Sequence, residues 1–271
     1  MTSERYIHGH HESVLRSHTW RTVENSASYL VSHLGEGAEL LDVGCGPGTI
    51  TVDFAKRLAP GAVVGLDASE SVLEQARELA RNDALQNVQF VSGDAYALPF
   101  DDDSFDIAHA HQVLQHVADP VAVLREMARV VRPGGIIAAR DVDYGGSIWY
   151  PELTELGRWH RLYDAVHRNG GGEPDAGRRL ASWARGAGLT DVVTTASVWA
   201  FTSPDDRAWW GGLWADRARY SSFAEQALES GLAVRDDLDD IAHGWTRWAA
   251  DPDGWFSFPH GEIIARVRVA D

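Results

Sequence analysis

The sequence predicts an α/β protein in which a parallel sheet carries helices on both faces. Between residues 38 and 143, short apolar runs alternate with segments of helical periodicity, a pattern typical of βαβ units. The first apolar run ends in a glycine-rich turn that opens a helix, and sheets of this type bind nucleotide-like ligands there. Hydrophobic residues make up 44% of the 271 residues, which is ordinary for a soluble globular protein that can bury a core.

The first predicted element is an amphipathic helix over 11–34, because Val23, Ala27, Leu30 and Leu34 share one face. Glycines, prolines and changes of periodicity then separate the remaining elements. The predicted strands lie at 39–43, 62–67, 88–92, 105–110, 136–142, 192–201 and 255–267. The other predicted helices lie at 49–58, 69–84, 120–131, 151–168, 175–187, 204–220, 223–231 and 236–250.

The composition of the chain changes after the fifth predicted strand. Ten of the 11 tryptophans follow residue 148. We therefore divide the chain into an N-terminal lid and helix (1–34), a ligand-binding core (35–148), and helices and strands that cap the substrate (149–271). Because no low-complexity linker separates them, we expect the cap to belong to the same domain as the core.

Charge and composition exclude several classes of function. A net charge of −16 repels phosphate backbones, so we expect no nucleic-acid partner. No apolar stretch is long enough for a signal peptide or a membrane span, so we expect no membrane partner and a cytoplasmic enzyme. Cys45 is the single cysteine, which argues against a disulfide framework or a cysteine-based zinc site.

The glycine-rich turn carries the most specific chemical signal. Glycines at positions 44, 46 and 48 let the backbone turn sharply and approach a ligand closely. A dinucleotide fingerprint would place its third glycine at position 49, where Thr49 stands. Asp42 would repel a pyrophosphate but suits a ligand with an ammonium group, such as S-adenosylmethionine.

An acidic residue also ends the second predicted strand, and another follows the third. Asp67, followed by Ala68, can accept hydrogen bonds from both hydroxyls of a ribose. Asp94, followed by Ala95, is placed to accept from the amine of an adenine. The fourth strand ends near Gln112, where its last carbonyls would face the methionine end of the cofactor.

These motifs resemble, in order and spacing, those of class I S-adenosylmethionine-dependent methyltransferases, and in particular the branch related to quinone C-methyltransferases. The matching residues are 40–48, Asp67, 93–95, 98–100, 104–106 and 132–135. The resemblance implies a seven-stranded Rossmann-like sheet whose last strand is antiparallel. It also implies that Gly44, Gly46, Asp67, Asp94, Ala95 and Gln112 bind the cofactor.

Candidates for acid–base chemistry lie in two segments. The segment 6–11 is a candidate lid in which Tyr6 would contact the cofactor and His11 would act as a base; a surface cluster is the competing interpretation. We expect no metal site there. Asp143 and Tyr144 follow the fifth strand and could orient or deprotonate a substrate, with Asp143 favoured.

Candidates for substrate contact are His116, Trp149 and Trp210. Tryptophans usually belong to the core, but the helix with Trp209, Trp210 and Trp214 has aromatic residues on more than one face. Some of them should therefore reach a cavity, which favours an aromatic or otherwise apolar small-molecule acceptor.

The predicted function is methyl transfer to a carbon, oxygen or nitrogen atom of such a metabolite. One alternative is a non-catalytic subunit that binds S-adenosylmethionine. A second is a nicotinamide-dependent oxidoreductase, which Asp42 and the glycine spacing disfavour. A homodimer formed through exposed tryptophan-rich helices remains open.

Overall fold

The computed structural model describes residues 19–269 as one mixed sheet flanked by helices. The strands are β1 (Leu40–Val43), β2 (Val63–Asp67), β3 (Val88–Ser92), β4 (Phe105–His111), β5 (Val131–Val142), β6 (Ile148–Tyr150), β7 (Thr190–Phe201) and β8 (Trp255–Arg266). The helices are α1 (Val23–Ser26), α2 (Thr49–Leu58), α3 (Glu70–Asn82), α4 (Pro120–Val130), α5 (Thr154–Asn169), α6 (Leu180–Gly186), α7 (Pro204–Tyr220), α8 (Ser222–Glu229) and α9 (Arg235–Ala250).

The sheet combines a parallel half with an antiparallel half. Strands β3, β2, β1, β4 and β5 are parallel neighbours in that order. β8 then runs antiparallel to β5, and β7 runs antiparallel to β8. The predicted sheet with an antiparallel last strand is confirmed. The short strand β6, which the sequence analysis did not predict, pairs with residues 255–257 of β8. Because β7 also pairs with residues 256 and 257, β6 lies on the same edge of β8 as β5.

Alternation along the parallel strands supplies both faces of the sheet with apolar side chains. Leu40 and Ile107 pack with α1 and α2 on one face, whereas Leu41 and Ala108 pack with α4 and α6 on the other. Strands buried on both faces are expected in a parallel sheet covered by helices. The carboxyl ends of β1 to β5 are thereby held in one row.

A separate aromatic core lies in the second half of the chain. Trp159, Trp214 and Trp245 are fully buried and contact one another with ring centroids 4.7 to 6.0 Å apart. Helices α5, α7, α8 and α9 enclose this core together with β7 and β8. Most of the tryptophans therefore stabilise the cap, as large aromatic side chains usually do.

The prediction of one continuous helix over 11–34 is wrong for residues 19–34, the part that the structure describes. There, α1 ends at Ser26, and Ser28–His33 forms a 3₁₀ helix. The carbonyl of Asn25 accepts a hydrogen bond from the Trp199 indole at 2.7 Å, which takes the place of a helical bond. The apolar face was nonetheless correct, since Val23, Ala27 and Leu30 are fully buried.

The predicted helix over 175–187 is also divided, into a 3₁₀ turn (Gly177–Arg179) and α6.

In residues 19–269, no helix is long and apolar enough to cross a membrane.

Close packing between β8 and the 3₁₀ turn requires glycine at position 261. A Cβ atom at Gly261 would overlap the carbonyl group of Gly177, which is backbone that cannot rotate away. We expect Gly261→Ala to destabilise the fold by about 1–3 kcal/mol, the usual cost of overpacking, as measured by urea unfolding. Gly212→Ala is the control, because that exposed helical site is open and alanine there should stabilise by about 0.5–1 kcal/mol. Equal stabilities of the two variants would contradict this account.

Candidate active site

A cavity of about 600 Å³ opens at the carboxyl ends of the parallel strands. Its walls come from the turns after β1, β2, β3 and β4, and from aromatic residues of the cap. Ligands bind at this edge in open α/β sheets, because the strand ends and helix N-termini meet there. The cavity therefore coincides with the site that the glycine-rich turn predicts.

The turn after β1 depends on left-handed backbone conformations. Gly44, Gly46 and Gly48 have φ angles of +67°, +55° and +81°, which residues with a side chain rarely adopt. The N–H groups of Gly44 and Cys45 donate to the carbonyl of Leu66 at 2.7 and 3.0 Å. These bonds join the turn to the end of β2, so the two segments present one continuous surface to the cavity.

Asp42 is a buried carboxylate at the base of the cavity. Thr51 Oγ1 donates to its Oδ2 at 2.6 Å, and Nδ1 of the buried His109 lies 2.8 Å from its Oδ1. Both oxygens are thus held in place, as a buried carboxylate requires. The charge still borders the cavity and makes this part of it unsuitable for a phosphate.

Asp67 and Asp94 extend the acidic wall. Asp67 accepts hydrogen bonds from the N–H groups of Gly46 at 3.0 Å and Ser69 at 2.9 Å. Asp94 accepts from the N–H of Tyr96 at 2.9 Å. An ionised carboxylate offers about four acceptor positions, so each retains capacity for a ligand hydroxyl or amine. With Asp42, these carboxylates fit the ammonium, ribose and adenine groups of S-adenosylmethionine better than a pyrophosphate.

Gln112 connects the end of β4 to the N-terminal segment and to β8. Its side-chain Oε1 accepts from the Arg21 guanidinium at 2.6 Å, and this orients the amide. Its Nε2 therefore donates to Nε2 of His260, at 2.8 Å. A φ of +53° at Gln112 turns the backbone sharply at this point.

The other half of the cavity is aromatic. Its wall contains Trp20, Tyr144, Trp199, Trp209, Trp210 and Phe258, together with the buried Arg217. Trp210 stacks on Phe201 with centroids 4.2 Å apart and also lies 5.5 Å from Phe258. These contacts fix the rings, so a flat ligand would meet a rigid aromatic surface.

Two histidines, one at the end of β4 and one after it, line the cavity. His116 stacks on His167 with centroids 5.1 Å apart, and Nε2 of His167 donates to the Gln115 carbonyl at 3.0 Å. Burial, and then the neighbouring His167, lower the pKa of His116 well below its ordinary value. Burial likewise lowers the pKa of His111, and Arg21 and Arg140 lower it further. Both rings are therefore neutral near pH 7.

Most of the predicted site residues in the described part of the chain line this cavity. They are Asp42, Gly44, Gly46, Asp67, Ala68, Asp94, Ala95, Gln112, His116, Tyr144 and Trp210. Burial raises the pKa of Tyr144, so its phenol stays protonated and can donate a hydrogen bond but does not serve as a base at neutral pH. Tyr6 and His11 lie outside the described residues.

The structure does not bring Asp143 and Trp149 to the cavity. Asp143 directly follows β5, and its carboxylate pairs with Arg178, whose Nε donates to it at 2.6 Å. Trp149 lies on β6 and stacks against Phe256 in the aromatic core. Among residues 19–269, no group of three or more histidine, cysteine or acidic side chains could hold a metal ion.

Several residues that line the cavity were missed by the sequence analysis, notably Arg21, His111, Trp199 and Phe258. His111 directly precedes the predicted Gln112, so its position at a strand end was the available signal. Trp199 and Phe258 reach the cavity because β7 pairs with β8 in a register that places Trp199 opposite Phe258. No local pattern in the sequence reveals that register.

Comparison with known proteins decides the family. Residues 34–169 match a family model described as a methyltransferase domain. Over 270 residues the chain is 34% identical to an uncharacterized methyltransferase of Schizosaccharomyces pombe, covering 96% of this chain and 95% of that protein. The chain belongs to the methyltransferase family.

Two further known proteins resemble this methyltransferase, one in part of its sequence and one in its fold. It is 42% identical over 129 residues to demethylmenaquinone methyltransferase of Staphylococcus aureus, covering 47% of this chain and 50% of that enzyme. Phosphoethanolamine N-methyltransferase 2 of Haemonchus contortus, solved in complex with S-adenosyl-L-methionine, has a TM-score of 0.52 at 20% identity. That match covers 89% of this chain and 52% of the other, and shows a shared fold. The predicted resemblance to methyltransferases is confirmed.

The position of Asp143 generates a test of its predicted catalytic role. Because its carboxylate pairs with Arg178 away from the cavity, we expect Asp143→Asn to destabilise the methyltransferase by about 1 kcal/mol in thermal unfolding. Methyl transfer should be unchanged, whereas loss of a general base would slow it by about 100-fold or more. Arg178→Gln breaks the same pair from its exposed side and is the matched control. A large loss of rate in Asp143→Asn alone would restore Asp143 as a catalytic residue.

Asp141 generates a prediction for pH. This fully buried carboxyl accepts from the Leu114 N–H at 3.0 Å, and burial raises its pKa from 3.8 to about 8. The unfolded chain ionises near pH 4 but the folded chain only near pH 8, so this group lowers stability as pH rises between those values. The effect should approach about 1.4 kcal/mol per pH unit.

We therefore expect Asp141→Asn to gain stability relative to the wild type as pH rises from 5 to 8. Urea unfolding at each pH would measure the difference, with the exposed Asp253→Asn as control. Parallel stability curves for wild type and Asp141→Asn would contradict the raised pKa.

Proposed function

We propose that this protein transfers a methyl group from S-adenosylmethionine to a small aromatic acceptor held in the cavity. The observation that carries the proposal is the division of one cavity into two chemically distinct halves. Three carboxylates and a glycine-rich turn form one half, and rigid aromatic rings form the other. The two halves meet at the end of β4.

The acidic half supports the choice of cofactor. Asp67 can accept from the ribose hydroxyls, while Leu66, Val72 and Ala95 provide apolar surface for an adenine whose amine faces Asp94. The Haemonchus contortus enzyme, which shares the fold, was solved with S-adenosyl-L-methionine. When bound, this cofactor supplies a methyl group on a positively charged sulfur, and that charge is compatible with neighbouring carboxylates.

The aromatic half supports a flat, apolar acceptor. Pockets for small molecules are mostly apolar with a few placed polar groups, and here Tyr144 and Arg217 interrupt the rings. The name of the Staphylococcus aureus relative indicates a quinone, which is a flat ring compound, as its substrate, although the match spans only half of each chain. We extend that substrate class, but not that substrate, to this protein.

The contribution of the chain to catalysis would be alignment and exclusion of water. Rigid rings hold the acceptor, and the turn after β1 holds the cofactor, so the reacting atoms meet in one geometry. Such alignment can supply about 7–11 kcal/mol of the barrier. Trp20 and Arg21 line the cavity from the N-terminal side, which supports a lid function for the segment 1–34.

Incubation with S-adenosylmethionine carrying a trideuterated methyl group tests the proposal. Phenols, quinols and indoles would be offered as acceptors, and mass spectrometry would detect the labelled methyl. Calorimetry with S-adenosylhomocysteine would measure cofactor binding separately. A labelled aromatic product supports the proposal, and failure to bind S-adenosylhomocysteine would overturn it.

Asp67 provides a sharper prediction for the cofactor. Asp67→Asn removes a charged acceptor, and a hydrogen bond to a charged group contributes about 1.5–3 kcal/mol. We therefore expect the affinity for S-adenosylhomocysteine to fall by about 10- to 100-fold in calorimetry. Asp103→Asn is the control, since it removes one negative charge at an exposed turn where asparagine tolerates the φ of +57°. Unchanged affinity in Asp67→Asn would refute the assignment.

A further inference from the structure

Arg217 is a cation held in the wall of the aromatic half of the cavity. It lies on α7 and is only 3% exposed, yet it belongs to the residues that line the cavity. The central carbon of its guanidinium lies 5.1 Å from the centre of the Trp214 ring. A planar guanidinium stacks on aromatic faces, and such a contact restricts its orientation. The charge therefore has a fixed place in the wall.

The spacing along α7 places this charge on the same side as the aromatic rings. Trp210, Trp214 and Arg217 are separated by four and then three residues, so they share one face of the helix. Trp210 and Arg217 both line the cavity, and the seven residues between them correspond to about 10 Å along the helix axis. The helix thus presents a ring and, about two turns later, a positive charge.

Tyr144 lies near the same charge. Burial raises the pKa of its phenol, whereas a side-chain hydrogen bond with Tyr163 and the charges of Arg217 and Arg21 act in the opposite direction. The rings of Tyr144 and Tyr163 have centroids 4.3 Å apart, which holds the phenol in place. Because the effect of burial prevails, the phenol stays protonated at neutral pH. It adds a hydroxyl to the guanidinium in this part of the cavity wall.

The aromatic half of the cavity therefore has a positive charge. The three carboxylates that line the cavity belong to the acidic half, and no carboxylate lines the aromatic half in the part of the chain that the structure describes. Arg21 and Arg217 line the aromatic half. Arg21 donates to Gln112 at the boundary between the halves, whereas Arg217 belongs to the cap. An anionic group of an acceptor would meet Arg217 on the cap side.

This local charge contrasts with the charge of the whole protein. A net charge of −16 repels anions from most of the surface, so an anionic acceptor depends on cations inside the cavity. Water and salt screen a buried charge much less than an exposed one. Arg217 can therefore distinguish an acceptor with a negative group from an uncharged acceptor of the same shape.

We infer that the acceptor is an aromatic carboxylic acid whose carboxylate binds Arg217, with the Tyr144 hydroxyl as a second donor. This inference rests on the proposed function and narrows its substrate class. A guanidinium matches a carboxylate well, since two parallel N–H groups can donate to its two oxygens. The ring of the acid contacts Trp210 and Phe258, and its opposite end faces the acidic half that would hold the cofactor.

Matched acids and esters test the inference by calorimetry in the presence of S-adenosylhomocysteine. The probes are 4-hydroxybenzoate and 6-hydroxy-2-naphthoate, each compared with its methyl ester, which keeps the ring but has no charge. Arg217→Met keeps an unbranched apolar side chain and removes the guanidinium, and Arg217→Lys keeps the charge. Arg219→Met is the matched control, because Arg219 lies on the same helix and pairs with Asp239 instead of lining the cavity.

The wild type should bind at least one acid about 10- to 100-fold more tightly than its ester, the usual effect of a hydrogen bond to a charged group. Arg217→Met should lose this preference, with the affinity for the ester changed by less than about threefold. Arg217→Lys should recover part of the preference, and Arg219→Met should retain all of it. The affinity for S-adenosylhomocysteine should be the same in all four proteins, which also shows that the variants are folded.

Other results would overturn the inference. These are a wild type that binds S-adenosylhomocysteine but prefers neither acid to its ester, equal losses for acid and ester in Arg217→Met, or an equal loss of preference in Arg219→Met. A weaker affinity of Arg217→Met for S-adenosylhomocysteine alone would instead assign Arg217 to the carboxylate of the cofactor. If Arg217→Met does not fold, the comparison of acid with ester in the wild type and in Arg217→Lys still decides.

Failure of the inference and failure of the proposed function are distinguishable. In each of the cases above, the proposed use of S-adenosylmethionine would stand. A wild type that does not bind S-adenosylhomocysteine would remove the proposed function itself.

Discussion

The antiparallel pairing of β8 with both β5 and β7 is the constraint on which the aromatic half of the cavity depends. It places Phe258 and His260 beside the end of β4, and it sets Trp199 opposite Phe258. The parallel strands alone would provide a cofactor surface with no enclosed chamber next to it. Gly261 and Gly177 permit this arrangement, since a side chain at Gly261 would meet the backbone of the neighbouring turn.

Charge is distributed unevenly along the cavity, in a way that matches the chemistry of methyl transfer. Asp42, Asp67 and Asp94 line one part of the cavity, and Arg21 and Arg217 line another. Gln112 stands between the two regions and bonds to both Arg21 and His260. Because electrostatic interactions are strong where water is excluded, this separation would favour a positively charged ligand at the carboxylates and a negatively charged group at the arginines.

The buried polar network beside the sheet carries an energetic cost that packing must offset. Arg140 and Glu262 are almost completely buried, and breaking such a pair leaves an uncompensated charge. The aromatic core around Trp159 and Trp214 belongs to the second half of the chain and supplies extensive apolar burial. A stable cap thus allows polar groups to be retained next to the cavity.

The sequence by itself determined the parallel half of the sheet and the cofactor surface. Parallel strands bring all their carboxyl ends to one edge, so the glycine turn, Asp67 and Asp94 converge once their strands are identified. The tertiary structure alone decided the aromatic side of the cavity. The ion pair with Arg178 holds Asp143 away from the cavity, and the non-local register of β7 with β8 brought Trp199 to His111. Such registers depend on pairing between distant segments, which short-range periodicity does not encode.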